Sequence, residues 1–227
     1  MEILNTLYNL MGLVFVLGTI CSMGLSLTMH QISGALRNAS FVIISFLENF
    51  VVMPILAFIL IWVFSLDEPL AVGLLLISLA AGAPALPKTA VFAKVDTAAA
   101  TGLMVLLVVA TIIILPIALP QVLTGISVTF WDIAAGLIYL ILIPLVISLF
   151  VRARYPDAAG SVQPMFAQAS SLSLLILMVL IVVLNFCDVV GLLSSGGLLA
   201  SLILVILTVV GAYLLGKLSK VEAWIHA

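Results

Sequence analysis

Apolar residues fill this chain in runs about as long as a bilayer is thick, and polar residues collect in the gaps between them. Seven runs stand out, at residues 7–29, 40–64, 70–93, 97–119, 130–151, 165–187 and 196–216. About twenty apolar residues wound as a helix cross the ~30 Å hydrocarbon core. Barrel strands would alternate apolar and polar residues over about ten positions, and a run such as Leu172–Leu184 shows no alternation. A helix also satisfies its backbone hydrogen bonds within one segment, as lipid requires. The pattern predicts an all-α, polytopic membrane protein of about seven spans. Residues 1–216 form one membrane domain and 217–227 a short tail.

Composition strengthens this reading. Apolar residues make up 66% of the chain and charged residues 7%, where a soluble domain carries roughly 25% charged residues. The net charge of −2 gives nucleic acid nothing to bind, and the lipid bilayer is the expected partner. Placement of the charges is more informative than their sum. Arg37, Lys94, Arg152, Arg154, Lys217 and Lys220 fall in the first, third and fifth gaps and the tail. Asp67, Glu68, Asp132 and Asp188 fall in the intervening gaps, which hold no Lys or Arg. By the positive-inside rule the N-terminus lies outside and the C-terminus in the cytoplasm, and a bacterial cytoplasmic membrane is the expected location. Cys21 and Cys187 lack metal-site spacing and read as small buried hydrophobes. No cofactor is expected beyond a coupling ion, Na+ or H+.

Two charged residues lie inside spans. Glu48 sits ten residues into the second run, about 15 Å from its cytoplasmic end. Lys88 sits eight residues before Asp96, ~12 Å from the same face. An ion inside a membrane is costly unless paired or wetted, so both are candidates for function, with a purely structural ion pair or snorkelling as the alternative.

Lys88 closes the stretch Gly82-Ala83-Pro84-Ala85-Leu86-Pro87-Lys88. Each proline lacks an N–H and pushes its predecessor toward extended backbone. Pro84 and Pro87 are therefore expected to interrupt the third helix, with a first half over 71–83 and a second over 88–95. Pro87 would start the second half, at a position proline favours. Such breaks expose backbone groups near the midplane, where secondary transporters bind ions and anions. Gly82, Pro84, Pro87 and Lys88 are candidate binding residues on this ground. Pro54, Pro116 and Pro144 read as simple kinks, and Thr101 and Thr111 as bonded to their own backbone. Asn49, Gln168 and Asn185 read as interhelical hydrogen-bonding or site-lining residues.

The order of short motifs resembles the bile acid:sodium symporter family over about residues 10–216. Ser22-Met23-Gly24-Leu25 resembles its Met-Gly-Leu-rich helix, and Asn49 before Met53-Pro54 resembles its polar residue ahead of a proline. The double-proline stretch followed by Ala93-Lys94-Val95-Asp96 resembles its broken helix and exit. Gly211-Ala212-Tyr213-Leu214-Leu215-Gly216 resembles the approach to its second broken helix. The resemblance implies two inverted five-helix repeats, with a panel domain and a core domain whose crossing broken helices hold sodium. Residues 7–29, 130–151 and 165–187 would be panel-like, and 40–64, 70–93, 97–119 and 196–216 core-like.

Several positions depart from the family pattern. The chain begins at what would be the second helix and stops before the second broken one. The family's Ser-Asn sodium ligands read Leu86-Pro87 here, and its hydroxyl ligands read Ala100 and Met104. Only Asn49 carries over, as an amide ligand.

The expected function is secondary transport of a small, partly apolar organic anion. Lys88 stands in for sodium, since a tethered ammonium supplies one charge and three donors. Glu48 is its counter-ion, and the pair is a route for proton coupling. The alternative is a truncated, non-transporting remnant. With the second broken helix absent, the chain is expected to form a homodimer or to be poorly stable. Only His30 and His226 are present, and no nucleophile spacing appears, so an enzyme is not expected.

Overall fold

The structure, a computed structural model, describes residues 2–28, 39–81, 97–122, 130–186, 190–191 and 195–218. The described helices are α1 (Glu2–Ser26), α2 (Ala39–Leu47), α3 (Met53–Phe64), α4 (Glu68–Leu79) and α5 (Thr97–Val122). They continue with α6 (Phe130–Leu137), α7 (Ile143–Arg154), α8 (Pro156–Leu184) and α9 (Gly197–Leu218). No strand occurs among the described residues. Wide π turns, Glu48–Val52 and Ile138–Leu142, join α2 to α3 and α6 to α7. Six continuous helical stretches are long and apolar enough to cross a membrane, namely Glu2–Ser26, Ala39–Phe64, Ala100–Pro120, Phe130–Arg154, Pro156–Leu184 and Gly197–Leu214. The chain is an all-α polytopic membrane protein.

Two corrections concern helix ends. In the third run the helix Glu68–Leu79 ends with Ala80 leaving helical geometry, rather than at residue 83. The sixth run begins at Pro156 rather than 165. Proline suits a first helical turn, and Pro164 lies inside α8 without ending it. Gly82, Pro84, Pro87 and Lys88, with the second half-helix expected at 88–95, lie outside the described residues.

Contacts divide the chain into two compact units. One comprises Met1–Met29 and Ala135–Gly191, the other His30–Ala134 and Leu192–Ala227. In the first unit α1 packs on α8 and α7 through bare backbone. A Cβ at Gly18 would stand 3.1 Å from Ser170 Cβ, and one at Gly24 only 2.6 Å from Ser148 Cβ. Close approach lets polar groups pair between helices: Ser170 Oγ donates to Phe15 O at 3.2 Å and Gln163 Nε2 to Ser22 Oγ at 2.9 Å.

In the second unit α3 and α4 form a tight pair. Ser65 takes a left-handed conformation (φ 46°) that ends α3. Leu66 N–H then returns to Ile61 O at 3.1 Å, satisfying a carbonyl of the last turn. Asp67 is extended, and its carbonyl accepts the N–H groups of Leu70 and Ala71 as α4 begins. Ala57, Leu60, Leu74, Leu75, Ala200 and Leu204 form the buried core of this unit and fasten α9 to the pair.

Candidate functional site

The second run carries three polar side chains in succession, and each meets a different fate. Ser45 Oγ donates to Phe41 O, and Asn49 Nδ2 donates to Ser45 O, both at 2.8 Å along their own helix. Glu48, between them, does neither. It opens the π turn, and its carbonyl accepts the N–H of Met53, five residues on. Pro54 follows at once; its ring crowds the carbonyl four residues back and it has no N–H to offer. One extra residue in the turn relieves that conflict. It also offsets the faces on either side by about 100°.

Glu48 is 4% exposed. Both carboxylate oxygens are buried and take no hydrogen bond from the described residues. Across from it lies Gly211 of α9. A Cβ added there would stand 2.9 Å from Glu48 Oε1 and 3.6 Å from Oε2. The carboxyl group thus rests on bare backbone, and glycine is the residue that leaves it room. On the same face of α9, Thr208 sits against Met53 Sδ and bonds Leu204 O at 2.7 Å. A carboxylate ion in such a place costs several kcal/mol unless a cation or a proton joins it. Chemically, a carboxyl group in such a setting can take up a proton or a cation.

A second feature of the same unit lies where α4 ends. Ala80 has φ −82° and ψ 82°, the geometry of an inverse γ-turn. Ala81 N–H reaches back to Leu79 O at 3.1 Å. It also donates to Thr111 Oγ1 of α5 at 3.2 Å. Thr111 bonds its own backbone as expected, Leu107 O at 2.9 Å, but it also grips the neighbouring chain.

Of the six candidate binding residues, Lys88, Glu48, Asn49, Gly82, Pro84 and Pro87, the structure describes Glu48 and Asn49, which occupy adjacent positions with Glu48 alone turned to Gly211. Gly211 and Thr111 were not singled out as site residues, since what lies across from a glycine or threonine is a tertiary fact. Pro54 and Pro144 are correlated with π turns rather than simple kinks, whereas Pro116 lies inside the continuous α5. Elsewhere, Asn185 joins Asn5, Tyr8 and Leu184 in lining a cavity of about 450 Å³ in the first unit. Its described lining holds two amides and the Tyr8 side chain and no charged residue.

Comparison with individually characterised proteins returns no significant match. A sequence profile of the sodium bile acid symporter family does match, over residues 11–195. Its members are transporters rather than enzymes. With most of the chain matched and the helical membrane architecture in place, this protein belongs to the sodium bile acid symporter family.

Proposed function

We propose that the protein is a secondary active transporter that moves a small, partly apolar organic anion by coupling it to a cation at Glu48. The observation that carries this reading is the Glu48 carboxyl group, buried in a membrane helix with no hydrogen bond to its oxygens from the described residues. Family membership supports transport, and the family's name supplies bile acid and sodium as first probes. The division of the helices supports a panel-and-core mechanism: runs one, five and six fall largely in one unit and runs two, three, four and seven in the other. Relative movement of two such bodies about a central site is how secondary transporters alternate access.

For the coupling ion the reading is a proton. Leu86-Pro87, Ala100 and Met104 offer no side-chain oxygen where the family resemblance places sodium ligands. Lys88 acts as the fixed positive charge beside the break, and Glu48 is its counter-ion in part of the cycle. Orientation follows the charge alternation, with the N-terminus outside and the tail in the cytoplasm.

The test is uptake of radiolabelled taurocholate by proteoliposomes under an imposed pH gradient or an imposed sodium gradient. Uptake is expected with the pH gradient alone and is lost in Glu48→Gln and Lys88→Ala. A strict sodium requirement would overturn proton coupling. Flux of taurocholate and of simpler amphipathic carboxylates no greater than in empty liposomes would overturn transport itself.

A further inference from the structure

We propose that Thr111 is the positioning residue for the interrupted segment, a hydroxyl latch that fixes the point where the chain leaves α4. The need for such a latch follows from the backbone. α4 closes its last regular bond with Ala80 N–H to Leu76 O at 3.0 Å. One residue later the chain has turned, and the Ala81 N–H has only the short return to Leu79 O at 3.1 Å within its own strand of chain. An inverse γ-turn bond is bent and weak. In hydrocarbon an amide so poorly held is costly, because no water replaces the missing acceptor.

Thr111 meets this need from α5. Its Oγ1 accepts the Ala81 N–H at 3.2 Å and lies 3.3 Å from the Ala81 carbonyl oxygen. The same hydroxyl lies 2.9 Å from Leu107 O. It has one proton to give, so it serves one carbonyl at a time. Donating to Leu107 O, it is free to accept from Ala81 N–H, which is the arrangement with the shorter distances. Turned to Ala81 O, it holds the same residue by its other end. Thr111 is itself buried, at 8% exposure, so water does not compete for it. A valine would fill the same space and hold nothing.

The experiment is amide hydrogen exchange of the full chain in lipid nanodiscs, read by mass spectrometry on peptides that resolve Ala81 from the body of α4. Ala81 exchange is expected to speed by about three- to tenfold in Thr111→Val, the equivalent of one modest hydrogen bond. Thr111→Ser should restore the wild-type rate, and amides at Leu74–Leu76 should keep theirs in both. Should the valine variant fail to fold, Thr111→Ala against Thr111→Ser carries the same comparison. Unchanged Ala81 exchange without the hydroxyl, or an equal rise throughout α4 and α5, would overturn the proposal.

The consequence for transport rests on the proposed function. There, Thr111→Val raises the KM for taurocholate several-fold with less change in maximal rate, and serine restores it. Loss of that prediction through absence of any wild-type flux would count against transport, while the exchange result would still decide the latch.

Discussion

The two π turns of this protein share a backbone device and differ in everything placed on it. In Glu48–Val52 the widened turn is closed by Met53 N–H to Glu48 O, with Pro54 next. In Ile138–Leu142 it is closed by Ile143 N–H to Ile138 O, with Pro144 next. The spacing from turn to proline is the same. Yet Glu48 is buried against Gly211, while no side chain of the second turn is buried. A widened turn is thus how a long apolar helix accommodates an interior proline. What separates the two turns is the residue set at the first position, and the bareness of the helix opposite.

Exchanging the first residues tests that distinction most severely. Glu48→Ile, which copies the second turn, should lower coupled uptake in proteoliposomes by on the order of a hundredfold, since a specific intramembrane charge is worth several kcal/mol. It should also raise the thermal unfolding midpoint in detergent, because a buried carboxyl with no hydrogen bond from the described residues is removed. Loss of folding would instead show that Glu48 has a structural partner. The prolines give a smaller contrast. Pro54→Ala lets the turn relax toward regular α-helix and re-aims Glu48, so uptake should fall about tenfold, a cost of ~1.4 kcal/mol. Pro144→Ala, with no carboxyl to misdirect, should leave uptake within about twofold, less than 0.5 kcal/mol. Equal effects of the two would remove the functional difference between the turns.

How much of this was legible in the sequence depended on whether a feature is written in one segment or two. Six of the seven expected spans were legible, because apolar length alone sets them. The start of α8 was not: the apolar run begins at 165, whereas a helix 29 residues long rises about 43 Å and continues beyond the hydrocarbon with polar residues such as Asp157 and Gln163. Glu48 was legible as a charge in an apolar run. Its setting was not, because Gly211 reads as an ordinary small residue until α9 is laid across it. Thr111 divides the same way. Its bond to Leu107 O is local and was expected, and its hold on Ala81 joins residues thirty positions apart. The exit from α4 at Ala80 is where that hold acts.

The smallest expected effect is also the most specific to the Glu48 setting. In Gly211→Ala the new Cβ would start 2.9 Å from Oε1, closer than van der Waals contact allows. Either the carboxyl swings away or α9 backs off, and overpacking of this kind costs about 1–3 kcal/mol. Against that, alanine favours a helix interior over glycine by ~0.8–1.0 kcal/mol. The net destabilisation should therefore be about 1 kcal/mol by reversible unfolding in detergent, near the middle of the range for point substitutions. The diagnostic measurement is the double variant. In a Glu48→Ala background the space is free and the clash is gone, so Gly211→Ala should there become neutral or stabilising. A coupling energy of about 1–2 kcal/mol between the two positions is expected, within the range for residues in direct contact. Gly12 and Gly136 of the first unit are natural controls: a Cβ at either meets nothing within 4 Å, so alanine there should be tolerated whatever stands at 48. Additive effects of Gly211→Ala and Glu48→Ala would mean that the carboxyl does not rest on α9, and the contrast between the two turns would then lie in burial alone.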